Sequence, residues 1–137
     1  MQKYITSLCL ALLLVLAYPL AAQRVQSIHK MKTQLCKKWN YSKCRILGIE
    51  YTSNTDEQGD MIHFGDNMTY KMIEGGQVQE GTWSCVPEQD KIQLLNEENE
   101  VIKELKIEKL TDSEFIYTVT MNWQYEVSMF MTSEILN

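Results

Sequence analysis

Two histidines and a cysteine are the residues of this sequence whose types are best suited to catalysis. A thiol beside an imidazole can act as an activated nucleophile, provided that the two groups are within hydrogen-bond reach and a third group orients the base. The spacing of His29, His63 and Cys85 supplies neither condition. A strand histidine and a structural thiol explain these residues better. We therefore expect no catalytic residue and no enzyme activity.

The ligand spacings of metal and phosphate sites are also missing from the sequence. It contains no Cys-x-x-Cys pair, no His-x-x-x-His pair and no Asp-rich loop. Gly75-Gly76 lies between two apolar segments and opens no helix, so it indicates a hairpin turn and not a phosphate-binding loop. We expect no metal and no cofactor.

A set of aromatic and methionine side chains suits the binding of an apolar molecule. Rings with polar tips and flexible thioethers are typical of cavities for apolar ligands. The candidate ligand-binding residues are Tyr41, Tyr70, Met72, Trp83, Tyr117, Tyr125 and Met129. The same side chains would also fill the core of a small barrel, and that alternative stays open. An anionic ligand would lack a counter-charge unless Lys43 or Arg45 turned inward, so a neutral or weakly polar ligand is expected.

Alternation of apolar and polar residues predicts the strands that carry this set. A period of two runs from Trp39 to Met131 and gives about eight antiparallel strands joined by short turns. The first strand is predicted to continue as far as Tyr51, with an irregularity at 43–45. Trp39 and Trp83 lie on the apolar parity and should be buried. The short connections favour an all-β, up-and-down meander that closes into a barrel and so removes its edges.

Two segments precede the predicted barrel. Residues 1–22 combine Lys3, an apolar run and the small residues Ala21-Ala22, the pattern of a cleaved secretory signal. Residues 23–38 carry apolar side chains at helical spacing and predict a short helical lead-in. The barrel domain then spans 39–137. We therefore expect an exported protein, periplasmic or extracellular, without stable membrane insertion after cleavage.

Three cysteines remain after the predicted cleavage. Cys36, Cys44 and Cys85 are an odd number, so at least one thiol stays free or pairs between chains. By parity Cys85 should point inward with Trp83, and Cys44 should point outward. Side chains on opposite faces of a sheet cannot form a disulfide, so a Cys44–Cys85 bridge would require a bulge near Lys43.

Charge excludes two classes of partner. The chain has 13 basic and 18 acidic residues, a formal net charge of −5. Loss of Lys3 with the signal would make it more acidic. A negative surface is repelled by nucleic acid and by anionic membranes, so neither is expected as a partner.

Several segments resemble one family of small barrels. They are Leu35-Cys36-Lys37-Lys38-Trp39, Ile62-His63-Phe64-Gly65-Asp66-Asn67-Met68-Thr69-Tyr70, Gly75-Gly76, Glu80-Gly81-Thr82-Trp83-Ser84 and Leu110-Thr111-Asp112-Ser113-Glu114-Phe115. Together they are similar to bacterial lipocalin-like domain proteins. The resemblance implies a calycin-type barrel whose floor is plugged by Trp39, and it assigns no ligand.

Two functions follow from these expectations. The protein either carries or senses a small hydrophobic ligand inside the barrel, or it is an interaction module that docks onto a partner protein of the cell envelope, a calycin-like inhibitor being one case. A pocket that reaches the barrel mouth would favour the carrier. A solid core with an apolar outer patch would favour the docking module.

Overall fold

The computed structural model describes residues 27–54, 58–121 and 124–134. The predicted signal at 1–22 and the start of the predicted helical lead-in lie outside the described residues. One helix, α1, spans 27–35, and a single 3₁₀ turn covers Pro87–Gln89. The strands are β1 (Lys38–Ile46), β2 (Ile49–Thr52), β3 (Met61–Phe64), β4 (Thr69–Glu74), β5 (Gln77–Val86), β6 (Lys91–Leu95), β7 (Val101–Leu110), β8 (Glu114–Met121) and β9 (Tyr125–Thr132).

The strands form one antiparallel sheet that closes upon itself. Each strand from β3 to β8 pairs with the strand that follows it, while β1 pairs with both β3 and β9. β9 pairs with one edge of β1 from Asn40 to Ile46. β3 and β2 pair with the opposite edge, β3 with its first residues and β2 with its last. The predicted all-β meander, the closed eight-strand barrel and the preceding short helix are confirmed, with β2 as one extra strand.

The predicted first strand from Trp39 to Tyr51 is wrong, because the chain reverses within it. β1 ends at Ile46, Leu47 and Gly48 take positive φ angles of 51° and 80°, and β2 runs back along β1. Two successive residues with positive φ make the tight turn of a two-residue hairpin. Such a turn shifts the alternation of faces by one residue, because Ile46 and Ile49 are paired and face the same side. The bulge between Tyr41 and Lys43 has already shifted it by one, so the two shifts cancel and a period of two does not reveal the turn.

Helix α1 lies at one end of the barrel and closes it. Leu35 is fully buried, and its carbonyl accepts a hydrogen bond from Trp39 Nε1 at 2.9 Å. The residues after the helix contact turns at the same end, since Cys36 Sγ donates to the carbonyl of Gly65 and Lys37 Nζ to that of Asp112. We call this the closed end.

Aromatic rings fill the barrel near the closed end. Trp39 and Phe115 lie 5.5 Å apart between ring centroids, and so do Phe64 and Trp83, in tilted or edge-to-face arrangements that aromatic pairs favour. Both predicted tryptophans are buried, as expected. Gly81 makes room for Tyr70 here, because a Cβ atom would lie 3.0 Å from the Tyr70 ring and 2.0 Å from the carbonyl oxygen of Leu95.

Among the described residues, no helix is long and apolar enough to cross a membrane.

Candidate functional site

The end of the barrel opposite α1 is open and holds a cup. β4, β6 and β8 end there, and β5, β7 and β9 begin there. The cup has a volume of about 240 Å³ and lies above the aromatic core. Its lining is largely apolar and consists of Ile46, Glu74, Lys103, Tyr117, Val119, Met121, Tyr125, Val127 and Met129.

The predicted ligand-binding residues divide between the cup and the core beneath it. Tyr117, Tyr125 and Met129 line the cup. Tyr41 and Met72 instead border a void of about 10 Å³, which is room for one water molecule at most. The two remaining candidates are buried in the core, where Tyr70 stands over Gly81 and Trp83 donates from Nε1 to the carbonyl of Gly65 near the closed end. The structure thus brings three of the seven predicted residues to one cavity.

Two charged residues of the cup, Lys103 and Glu74, are not among the predicted ligand-binding residues. Lys103 pairs across the sheet with the buried Leu94, and partners in an antiparallel pair face the same side, so Lys103 points inward. Its Nζ donates to Glu74 Oε1 at 2.9 Å and contacts Met72 Sδ at 3.7 Å. The signal was present in the sequence, because Lys103 shares the parity of Leu105.

Lys43 and Arg45, the cations considered as inward counter-charges, lie on the outer face. Both stack over the ring of Phe130, with Lys43 Nζ at 4.8 Å and Arg45 Cζ at 5.3 Å from its centroid. Lys43 also forms an ion pair with Glu50 at 2.9 Å. The interior counter-charge is therefore Lys103, which corrects the expectation that only Lys43 or Arg45 could supply one.

The barrel wall opens between β7 and β8 beside the cup. Their pairing begins at Lys106–Thr118 and runs toward the closed end, and no ladder pair joins 101–105 to 119–121 in the described chain. A groove of about 450 Å³ lies in this gap and shares Lys103, Val119 and Met121 with the cup. The cup therefore opens sideways as well as at the mouth.

The β1–β2 hairpin projects beyond the mouth. Ile49 and Tyr51 pair with Ile46 and Cys44, which pack against the core, so all four face the concave side of the sheet. Ile49 and Tyr51 are nevertheless 58% and 49% exposed, and Leu47 at the turn is 81% exposed. These side chains stay exposed because, within the described chain, β2 pairs only with β1.

All three described cysteines are free, and their orientations correct one prediction. Cys85 packs against the core as predicted, but Cys44 does too, because the pairing of β1 with β9 shifts by one residue between Tyr41 and Lys43 and turns the following side chains over. Burial raises the pKa of both the Cys36 and the Cys85 thiols. Each is thus held in its protonated form, which is less nucleophilic.

His63 lies apart from Cys85. It is exposed between the buried Ile62 and Phe64, so it faces outward, whereas Cys85 faces the core. No group of three or more His, Cys, Asp or Glu residues within the described segments is placed to hold a metal ion.

A scan against protein-family models gives no match for this chain. A search of curated proteins finds no match either. The closed antiparallel eight-strand barrel is compatible with a calycin-like fold.

Proposed function

We propose that this protein is a non-catalytic binding protein that takes the apolar end of a small hydrophobic ligand into the cup at the open end of the barrel. The observation that carries the proposal is the apolar cup itself, which is framed by Tyr117, Tyr125 and Met129 and continues into the groove between β7 and β8. The bacterial lipocalin-like resemblance and the predicted export agree with this function. N-terminal sequencing of the purified protein would test the predicted cleavage before Gln23.

The size of the cup decides how such a ligand binds. About 240 Å³ is less than the roughly 300–1,000 Å³ of sites that enclose a drug-sized ligand. The ligand would therefore enter by one end, and the rest would lie in the groove or along the projecting hairpin. An apolar end of about six carbons contributes about 5 kcal/mol at about 0.8 kcal/mol per methylene, which corresponds to a Kd on the order of 0.1–1 mM.

Methionine-methyl NMR during a titration with octanol tests the site directly. We expect saturable shifts of the Met121 and Met129 signals, because both side chains line the cup. Met68 should not shift, because its carbonyl is bonded to Trp83 in the core near the closed end. The absence of any saturable shift, or equal shifts of Met68, would contradict the proposal.

A matched pair of variants gives a second readout. Met121→Glu places a charge on the rim of the cup and should weaken octanol binding by about tenfold, because a bound alkyl chain would remove water from the new carboxylate. Val78→Glu changes an exposed apolar residue that lies outside the cup lining and should leave binding unchanged. Equal effects of the two changes would argue against the cup as the site.

The projecting hairpin favours a second candidate, a docking module for an extended segment of a partner protein. The outer edge of β2 has no ladder partner within the described residues, and such an edge can accept another strand. Leu47, Ile49 and Tyr51 would supply the apolar contacts. Native mass spectrometry of protein purified from its natural source discriminates the candidates: a retained small molecule supports the cup, whereas a retained polypeptide that protects β2 amides from hydrogen exchange supports docking.

A further inference from the structure

Lys103 is a cation placed among apolar side chains at the point where the cup meets the groove. It belongs to the lining of both, together with Val119 and Met121. Its side chain is 28% exposed, whereas that of its partner Glu74 is 50% exposed. The ammonium group is therefore the more enclosed charge, and the carboxylate lies nearer to water.

The hydrogen bonds of Lys103 leave donor capacity for a ligand. An ammonium group has three N–H donors. One donates to Glu74 Oε1 at 2.9 Å, and another reaches only Met72 Sδ at 3.7 Å, a weak acceptor. An oxygen acceptor delivered by a ligand would replace the sulfur contact with a charge-assisted hydrogen bond, which is about twice as strong as a neutral one.

Glu74 does not prevent such binding. A half-exposed ion pair contributes only about 0–1 kcal/mol, so the carboxylate can turn to water at little cost while Lys103 stays in place. The cup lining holds one positive and one negative residue among the described residues. That balance suits a ligand with a single negative charge better than a doubly charged head group, which Glu74 would repel.

We propose that Lys103 anchors the carboxylate of an amphiphilic ligand whose apolar end occupies the cup. This inference rests on the proposed function and names the chemical class of its ligand. It replaces the neutral or weakly polar ligand expected from the sequence, because that expectation considered only Lys43 and Arg45 as counter-charges.

The test compares three eight-carbon probes that differ only in their polar end: octanoate, octanol and octylamine, each titrated by calorimetry into the purified protein. We expect octanoate to bind about tenfold more tightly than octanol. Lys103→Met should remove that preference while octanol affinity stays within about twofold. Lys106→Met is the matched control, because Lys106 lies on the same strand but is exposed and follows the buried Leu105, so it faces outward. Glu74→Gln should tighten octanoate binding by removing the competing carboxylate.

The outcomes separate this inference from the proposed function. Failure of all three probes to bind would overturn the proposed function together with the anchor. Binding of octanol without any preference for octanoate, equal effects of Lys103→Met and Lys106→Met, or a preference for octylamine would overturn the anchor alone. If Lys103→Met fails to fold, as judged by circular dichroism, Lys103→Gln provides the same comparison with a polar uncharged side chain.

Discussion

The hydroxyl of Tyr70 is a buried polar group without a hydrogen-bond partner. The side chain is 3% exposed and stands over Gly81 inside the barrel. Burying a hydroxyl without a partner costs about 1–3 kcal/mol by mutational estimates. Burial also raises the pKa of this phenol. The ring of Tyr70 thus contributes to the core while its hydroxyl opposes folding.

Replacing Tyr70 by Phe should therefore leave the free energy of unfolding unchanged or raise it by about 1 kcal/mol, because the ring is kept and the unpaired hydroxyl is removed. Urea unfolding measures the change. Tyr51→Phe is the control, since that ring is exposed and its change should be neutral. A loss of more than about 1 kcal/mol in Tyr70→Phe would show that the hydroxyl has a partner in solution.

At the scale of the elements, a bulge in β7 ties four strands together across the outer face. The pairing of β7 with β8 shifts between Ile107 and Lys109, which leaves Glu108 without a directly opposed residue. Its Oε1 accepts hydrogen bonds from the hydroxyls of Thr118 and, at 3.1 Å, Ser128, and its Oε2 accepts one from Arg45 at 3.4 Å. One carboxylate thus joins β7 to β8, β9 and β1.

Removal of that carboxylate should be costly, because Thr118 and Ser128 are buried hydroxyls that depend on it. We expect Glu108→Ala to lower the free energy of unfolding by about 1–3 kcal/mol, the penalty for buried groups left without an acceptor. Glu108→Gln keeps an acceptor and should cost less. Glu126→Ala, an exposed change on β9, serves as the control in chemical denaturation. Equal small losses of unfolding free energy in all three variants would show that the hydrogen bonds of Glu108 do not stabilise the fold.

At the scale of the whole molecule, a buried tyrosine makes the free energy of unfolding depend on pH in the alkaline range. Tyr117 is buried, and its burial raises its pKa above the ordinary value for tyrosine. The negative charge of the nearby Glu74 raises the pKa further. An unfolded tyrosine loses its proton near pH 10, whereas the folded one keeps it. Above that pH the unfolded state binds fewer protons, so the free energy of unfolding falls as pH rises.

The free energy of unfolding should fall by up to about 1.4 kcal/mol per pH unit because of this one group. Urea unfolding on both sides of pH 10 would show it, and Tyr117→Phe should make the curve flatter at high pH. Below pH 9 the contribution of Tyr117 is fully present and independent of pH. An identical alkaline slope in the parent chain and in Tyr117→Phe would mean that Tyr117 ionises in the folded state.

The alternation of residue types determined the architecture of this protein. A period of two reports which face of a strand each residue occupies, and short turns leave sequential strands little choice but to be neighbours. The closed barrel, the buried Trp39 and Trp83, and the Gly75-Gly76 hairpin, whose glycines have φ angles of 56° and 80°, could all be predicted. Tyr117, Tyr125 and Met129 were likewise predicted to face inward.

Only the tertiary structure decided where that inner surface is filled and where it is open. The bulge before Lys43 turns Cys44 inward, and it depends on the register between β1 and β9, the two most distant strands in the sequence. The cup and the β7–β8 gap depend on the point at which the hydrogen-bonded pairing of two neighbouring strands ends. The sequence of one strand alone does not determine that point. The Lys103–Glu74 pair joins strands separated by two others across the open end, so side-chain packing across the barrel, and not local pattern, brings the two charges together.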